Sequence, residues 1–296
     1  MKFNKYSLCA VVSGLMWGLS SVFPRILSRN GFAMTDVLIV SRTISAVLFA
    51  LIVLKRDRTQ FKVKPKELLY LIGLGLMGVM LCNYTYYEAM ARMSIGVATV
   101  LEYTGPGWTV LMAALIFREK ITRKKAVVVL MVFIGSALVS GLGKDTLITP
   151  LGFLFGIASG FFGGLNSIFL RASLSQRSDT FSVNFYGCLF AALSAMAVWG
   201  VSGPVTAVTA SGSNFALALI YSIFGSVAPS MLYAYAITGV GAGSASLLCS
   251  STPVIAVLMS CLVFREPMSL MSGIGVVIVL AALAFMNMPS KEKTAK

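Results

Sequence analysis

Ten apolar runs, most of them close to twenty residues long and parted by short polar breaks, take up nearly all of the 296-residue chain. They lie near 6–27, 36–55, 68–90, 95–117, 125–142, 151–170, 181–200, 215–236, 243–264 and 270–288. A helix that crosses a bilayer consumes about 20 mostly apolar residues, so ten spans leave only enough chain for two tails and nine short loops. A separate soluble domain does not fit. The composition agrees, with 57% hydrophobic and 11% charged residues, where a soluble domain carries about 25% charged. The expected fold class is an all-α integral membrane protein of ten transmembrane helices.

Histidine is absent. That removes Ser/His/Asp and Cys/His catalysis, H-E-x-x-H zinc sites and any imidazole proton relay. Any proton carrier is therefore a carboxylate, and the runs hold no aspartate beyond the terminal Asp36. No enzyme, no metal and no cofactor is expected. The formal charge of +14 invites a nucleic-acid partner, but that needs basic residues gathered on one folded surface, and here they sit in clusters between apolar runs. Cys9, Cys82, Cys188, Cys249 and Cys261 lie inside the runs without a C-x-x-C pair, and read as small buried hydrophobes. The run from Tyr6 to Phe23 is a first span rather than a signal peptide, because no A-x-A cleavage site follows and nine further runs do.

Positive residues are retained on the cytoplasmic side. With the N-terminus inside, the cytoplasmic segments hold eighteen Lys and Arg, six of them between Lys55 and Lys66, against five outside: Arg25, Arg29, Arg92, Lys144 and Arg265. Both termini are expected in the cytoplasm.

The chain also contains itself twice. Thr104 to Thr122 aligns at an offset of 147 with Ser251 to Ser269, matching Pro106 with Pro253 and Phe117-Arg118-Glu119 with Phe264-Arg265-Glu266. Upstream, at an offset of 146, Gly14, Gly18, Leu19, Ser21, Phe23 and Arg25 match Gly160, Gly164, Leu165, Ser167, Phe169 and Arg171. The boundary is expected near residue 143, giving repeats 1–143 and 144–296. Five spans is an odd number, so the second copy enters the membrane from the opposite side, the inverted-topology arrangement of secondary transporters.

Ten spans in two copies, a fourth and a ninth span each reading small-polar, Pro, apolar stretch, Arg-Glu, and Arg42-x-x-x-Ala46 in the second span resemble the EamA branch of the drug/metabolite transporter superfamily. The resemblance covers about 6–288. It implies two EamA-like repeats forming a bacterial inner-membrane carrier with a central cavity, often an exporter of amino acids or related small metabolites. Lipid and a small molecule are the expected partners, with protons as a coupling candidate, and the chain as monomer or homodimer. A carrier of nucleotide sugars or lipid-linked sugars, or an uncoupled facilitator, shares the architecture.

An ionisable side chain at mid-membrane costs about 2.5–3.5 kcal/mol on insertion scales and usually faces the protein interior. Arg42, Glu88 and Glu102 are such residues. Arg42 and Glu102 each lie about 9–11 Å from the outer end of their spans at 1.5 Å per residue. Two readings stand: a structural ion pair that pins two helices, or a pair that opens to grip a zwitterion. Glu88 reads equally as an interfacial anchor or a cavity residue. Asn83, Tyr84, Tyr87, Tyr103, Tyr233 and Tyr235 offer rings with a polar handle, and Trp17 and Asn166 complete the candidate substrate-binding set. Glu102 matches Cys249 and Glu88 matches Tyr235 across the repeat, so the acid chemistry belongs to one half. Pro106 and Pro253 are candidate hinges, since a proline inside a helix removes a hydrogen bond and presses on the carbonyl four residues back. Gly152, Gly156, Gly160 and Gly164 form a packing stripe. Arg118-Glu119 and Arg265-Glu266 read mainly as interfacial anchors or caps, and the 55–66 loop as a surface for anionic headgroups.

Overall fold

The structure is a computed structural model and describes residues 4–92, 98, 101–139, 149–177, 179–264 and 270–287. Among these no strand occurs. The helices are α1 (Lys5–Ser20), α2 (Val22–Arg29), α3 (Met34–Arg56), α4 (Pro65–Gly73), α5 (Cys82–Arg92), α6 (Gly105–Phe117), α7 (Arg123–Val139), α8 (Pro150–Gln176), α9 (Thr180–Trp199), α10 (Ser202–Thr209), α11 (Gly212–Tyr221), α12 (Ala228–Val240), α13 (Ala242–Leu248), α14 (Thr252–Phe264) and α15 (Leu270–Asn287). Six helical stretches among the described residues are long and apolar enough to cross a membrane: Lys5–Arg29, Met34–Arg56, Pro65–Ala89, Pro150–Gln176, Thr180–Trp199 and Gly212–Val240. Gly105–Phe117, Ala242–Ala256 and Gly273–Met286 are shorter apolar helices. Leu115, Leu154, Val198, Leu262 and Leu270 stand exposed on helix faces. A water-soluble chain would bury such residues, so the protein is a multi-pass membrane protein.

The fourth and ninth runs depart from the expected uninterrupted spans. The fourth breaks at Tyr103–Thr104, directly before α6. The ninth narrows into a 3₁₀ turn at Cys249–Ser251 between α13 and α14. Pro106 and Pro253 thus sit at the second residue of a new helix, where a missing N–H costs nothing and the fixed φ favours the helix. They begin helices rather than kink them. The third and eighth runs each pass through a π-helical stretch, Leu74–Leu81 and Ser222–Val227, again at matched positions. Helix α10 lies outside the expected spans.

The main packing partners come in duplicate. Helix α5 packs on α8 as α12 packs on α1; α6 packs on α8 as α14 packs on α1; α3 pairs with α9, and α7 with α15. Each of these contacts joins the two halves. They delineate two bundles, one of α5, α6 and α8, the other of α1, α12 and α14, with α13 packed between them on α6, α1 and α12. The pairs α3/α9 and α7/α15 join helices at equivalent positions in the two halves.

Glycines permit the close approaches. A Cβ on Gly160 would stand 2.8 Å from the Leu101 carbonyl oxygen, and one on Gly164 2.8 Å from the Trp108 Cβ. In the other bundle Gly14 faces the Cys249 carbonyl and Gly18 faces Thr252 and Ile255. The Gly152–Gly164 stripe is therefore the seam that receives the elbow at Tyr103–Thr104. Gly160→Val is expected to lower stability by about 1–3 kcal/mol, the cost of overpacking a fitted contact, because the Thr104 hydroxyl and the Leu101 and Glu102 carbonyls together block the new atoms. A thermal melt in detergent that matches wild type would refute the account.

A candidate substrate site at two helix elbows

Arg42 and Glu102 are not an ion pair. The Arg42 guanidinium donates from Nη1 to Ser226 Oγ at 2.8 Å, and Ser45 Oγ donates to the same hydroxyl at 2.9 Å. Its buried Nε has no partner. It also reaches Cys188, which is its own counterpart at the offset of 146. Glu102 stands one residue before the elbow of the fourth run and makes no ion pair with a described residue. Both charges act electrostatically on Cys82 and Tyr87. Arg42 and Glu102 are therefore both within electrostatic range of one thiol and one phenol. Tyr221 joins on the arginine side, and Tyr103, near Glu102, reaches Thr252 at the other elbow.

A second group continues from this centre through Cys249, which neighbours both Tyr103 and Tyr233. The Tyr233 hydroxyl lies 2.7 Å from Ser167 Oγ, and its ring centroid is 5.5 Å from that of Trp17. Thr252 Oγ1 donates to the Gly14 and Cys249 carbonyls, both at 3.0 Å. Backbone loosened at an elbow thus finds side-chain partners, as irregular backbone at membrane depth must.

The remaining sequence candidates lie apart from this centre or serve packing. Glu88 pairs with Arg92 one turn along its own helix. Asn83 Nδ2 donates to the Val79 carbonyl at 2.7 Å, within its own helix. The Tyr84 ring packs on Trp199 and Phe155. Asn166 meets Gly78 where the π-helical stretch passes, a contact matched by Ser20 against Gly225. Tyr235 packs on Tyr6 at 4.9 Å, beside Lys5, at the end where the chain enters. Cys9, Cys82, Cys188 and Cys249 are free thiols, and the side chain of Cys261 lies outside the described residues.

Ser226 and Tyr221 were not singled out by sequence reasoning, and Cys82 and Cys188 were read only as small buried hydrophobes. A signal existed for Ser226, since the first half has Val79 at the equivalent position. Of the anchor and cap readings, Glu119 answers to the cap, on a helix remote in the sequence. Its carboxylate binds Arg171 Nη1 and Lys125 Nζ, each at 3.1 Å, and accepts the Ala242 N–H at 3.2 Å. Arg265 and Glu266 lie outside the described residues.

A helical membrane chain with two elbows flanking a charged and aromatic centre has the build of a carrier. The EamA-like transporter family matches residues 4–141 and 150–288, one match to each half, and the chain belongs to that family. An uncharacterized transporter of Archaeoglobus fulgidus is 30% identical over 97 residues, covering 33% of this chain and 34% of that protein; the chain matches about a third of this relative's length. A solved crystal structure superposes with a TM-score of 0.77 at 18% identity, over 95% of this chain and 96% of the other, which establishes the shared fold.

Proposed function

We propose that the protein exports small metabolites, amino acids or amines, across a bacterial inner membrane by alternating access. Repeats 1–143 and 144–296 would be inverted copies with both termini cytoplasmic, and Pro106 and Pro253 would mark the hinges. The observation that carries the reading is the separation of Arg42 from Glu102 around a shared neighbourhood of Tyr87 and Cys82. A zwitterion needs a cation for its carboxylate and an anion for its ammonium. The unpartnered Arg42 Nε leaves a donor for the carboxylate, and Glu102, which makes no ion pair with a described residue, leaves an acceptor for the amine. Rings of Tyr87, Tyr103, Tyr233 and Trp17 supply apolar walls with polar tips. Large anionic substrates such as nucleotide sugars would call for several cations in the cavity, and Arg42 alone among the described residues answers.

The test is lumenal pH in proteoliposomes as amino acids and amines are added in turn, with Glu102→Gln alongside. Proton movement with one compound in wild type and none in the variant is the expected result, and makes Glu102 the coupling carboxylate. Labelled compound that exchanges at constant pH in both makes the protein a facilitator with Glu102 as a substrate ligand. Silence across the panel rejects the substrate class in favour of larger or lipid-linked compounds.

A further inference from the structure

Two connections of the protein are built alike and charged differently. The segment joining α3 to α4 carries Lys55, Arg56, Arg58, Lys62, Lys64 and Lys66, while its counterpart between α9 and α11, residues 200–211, carries no charge. Helices α4 and α11 begin at Pro65 and Gly212, an offset of 147, and the third residue of each, Glu67 or Asn214, is buried. Each of these two ties its connection to the residue that directly follows a helix of the other half. Glu67 accepts from Arg177 after α8, and Asn214 Nδ2 donates to the Asn30 carbonyl after α2 at 3.3 Å. Arg177 also donates to the Lys62 and Gln60 carbonyls, as Asn214 does to that of Ala207. A connection of this form therefore folds without lysine or arginine, and the six cations of the first one serve something outside it.

The protein does not neutralise them. All six are exposed, and none makes an ion pair with a described residue. The acids beside them are engaged elsewhere: Asp57 accepts from Thr59 and Gln60, Glu67 from Arg177, and Asp179 from the Ser182 N–H. Bonds from Arg177, Ser182 and Tyr186 fix the backbone at Gln60, Phe61 and Lys62, so the charges are presented from a held loop. Arg56 is steadied over the Phe181 ring at 4.5 Å. Leu51 and Leu54 near the end of α3, and Leu68 and Leu69 near the start of α4, stand exposed on either side. Apolar surface next to long cationic side chains suits the boundary where hydrocarbon gives way to headgroups. We propose that the 55–66 connection is a docking surface for anionic phospholipid, its lysines and arginines receiving headgroup phosphates while acyl chains lie along the exposed leucines of α3 and α4. A soluble phosphate would share the cations but leave the leucines without a partner. The surface requires neither a transported substrate nor alternating access.

Native mass spectrometry of the full chain in neutral detergent, titrated with phosphatidylglycerol, gives the apparent affinity for the first lipid bound. Each cation beside an anionic headgroup contributes about fivefold, so Lys62→Gln/Lys64→Gln should weaken that affinity at least about fivefold. Arginine at both positions should keep it. The charge-matched pair Lys120→Gln/Arg123→Gln, in the basic segment before α7, should also keep it. Phosphatidylcholine and glycerol phosphate are expected to bind more weakly than phosphatidylglycerol in the parent, and added salt should erode the difference. The substituted side chains make none of the contacts that hold the loop, so the variants should melt like the parent in phosphatidylcholine. Should one not fold, Lys55→Gln/Arg58→Gln replaces it with the same expectation. Equal phosphatidylglycerol affinity in parent and Lys62→Gln/Lys64→Gln overturns the proposal, as does an equal loss in Lys120→Gln/Arg123→Gln. Phosphatidylcholine that binds as tightly removes the role of charge, and glycerol phosphate that binds as tightly replaces the lipid with a soluble anion.

Discussion

Arg42→Ala is expected to weaken transport of an amino acid about 10- to 100-fold in apparent affinity, with Glu102→Gln producing a loss of the same order. A hydrogen bond to a charged group contributes about 1.5–3 kcal/mol, and every 1.4 kcal/mol is about tenfold. The discriminating result is chemical. A substrate amine that lacks a carboxylate should lose affinity in Glu102→Gln and keep it in Arg42→Ala, while the matching acid without an amine should do the reverse. Concentration-dependent exchange of labelled compounds in proteoliposomes measures all four combinations. The crossed pattern follows from the proposed site, in which the two charges do not neutralise each other: Arg42 is tied to Ser226 rather than to Glu102. If both variants depressed both truncated substrates alike, Arg42 and Glu102 would be holding the helices and not the ligand.

Arg177→Ala should cost about 3–5 kcal/mol of stability, the range for stripping one partner from a buried charge cluster. Arg177 and Glu67 are each 8% exposed. Arg177 Nη1 lies 3.4 Å from Glu67 Oε2 and donates to the Lys62 carbonyl at 3.2 Å, while Nη2 donates to the Gln60 carbonyl. Ser182 and Tyr186 hydroxyls donate to the Gln60 and Phe61 carbonyls at 2.8 and 2.7 Å. One side chain after α8 thereby fixes the whole connection between α3 and α4. Asp57 begins that connection by accepting from Thr59 and Gln60, and these bonds hold its carboxyl below the usual carboxylate range. Removing the guanidinium strands the Glu67 carboxylate and two carbonyls together. Lysine should restore only part of the loss, since an ammonium cannot serve the carboxylate and two carbonyls with the planar fork. A denaturation midpoint in detergent unchanged by Arg177→Ala would mean that water reaches the cluster and satisfies it.

The helices were legible because lipid imposes a simple rule on long apolar runs, and the duplication was legible because its markers, Pro106 with Pro253 and Gly160 with Gly14, keep their spacing. Their consequence was harder to read. A proline surrounded by apolar residues looks like an interior kink, and only the backbone places Pro106 at the start of α6. Arg42 and Glu102 stand out in the sequence as charges within apolar runs, but pairing depends on the rotation of two helices, which periodicity in an almost wholly apolar sequence does not encode. Tyr84 and Tyr235 illustrate the same limit: a tyrosine in a span is equally at home against Trp199 or at the membrane edge against Tyr6. Glu119 looked like an anchor or a local cap because its partners, Arg171 and Ala242, are remote in the sequence.

Every principal helix contact described above links one half of the polypeptide to the other, and this governs how the protein is made. When the first half leaves the ribosome, the helices that fill the seams of α1, α3 and α5 have not yet been synthesised. Those early helices must wait in lipid with Gly14 and Gly18 uncovered, held in orientation by flanking charge rather than by neighbours. Assembly then proceeds as one late event once α8, α9 and α12 have been inserted, so its rate is set by long-range closure rather than by local helix formation. A ribosome that stalls midway would leave behind a correctly threaded but unpaired set of helices, ready to be recognised as unfinished.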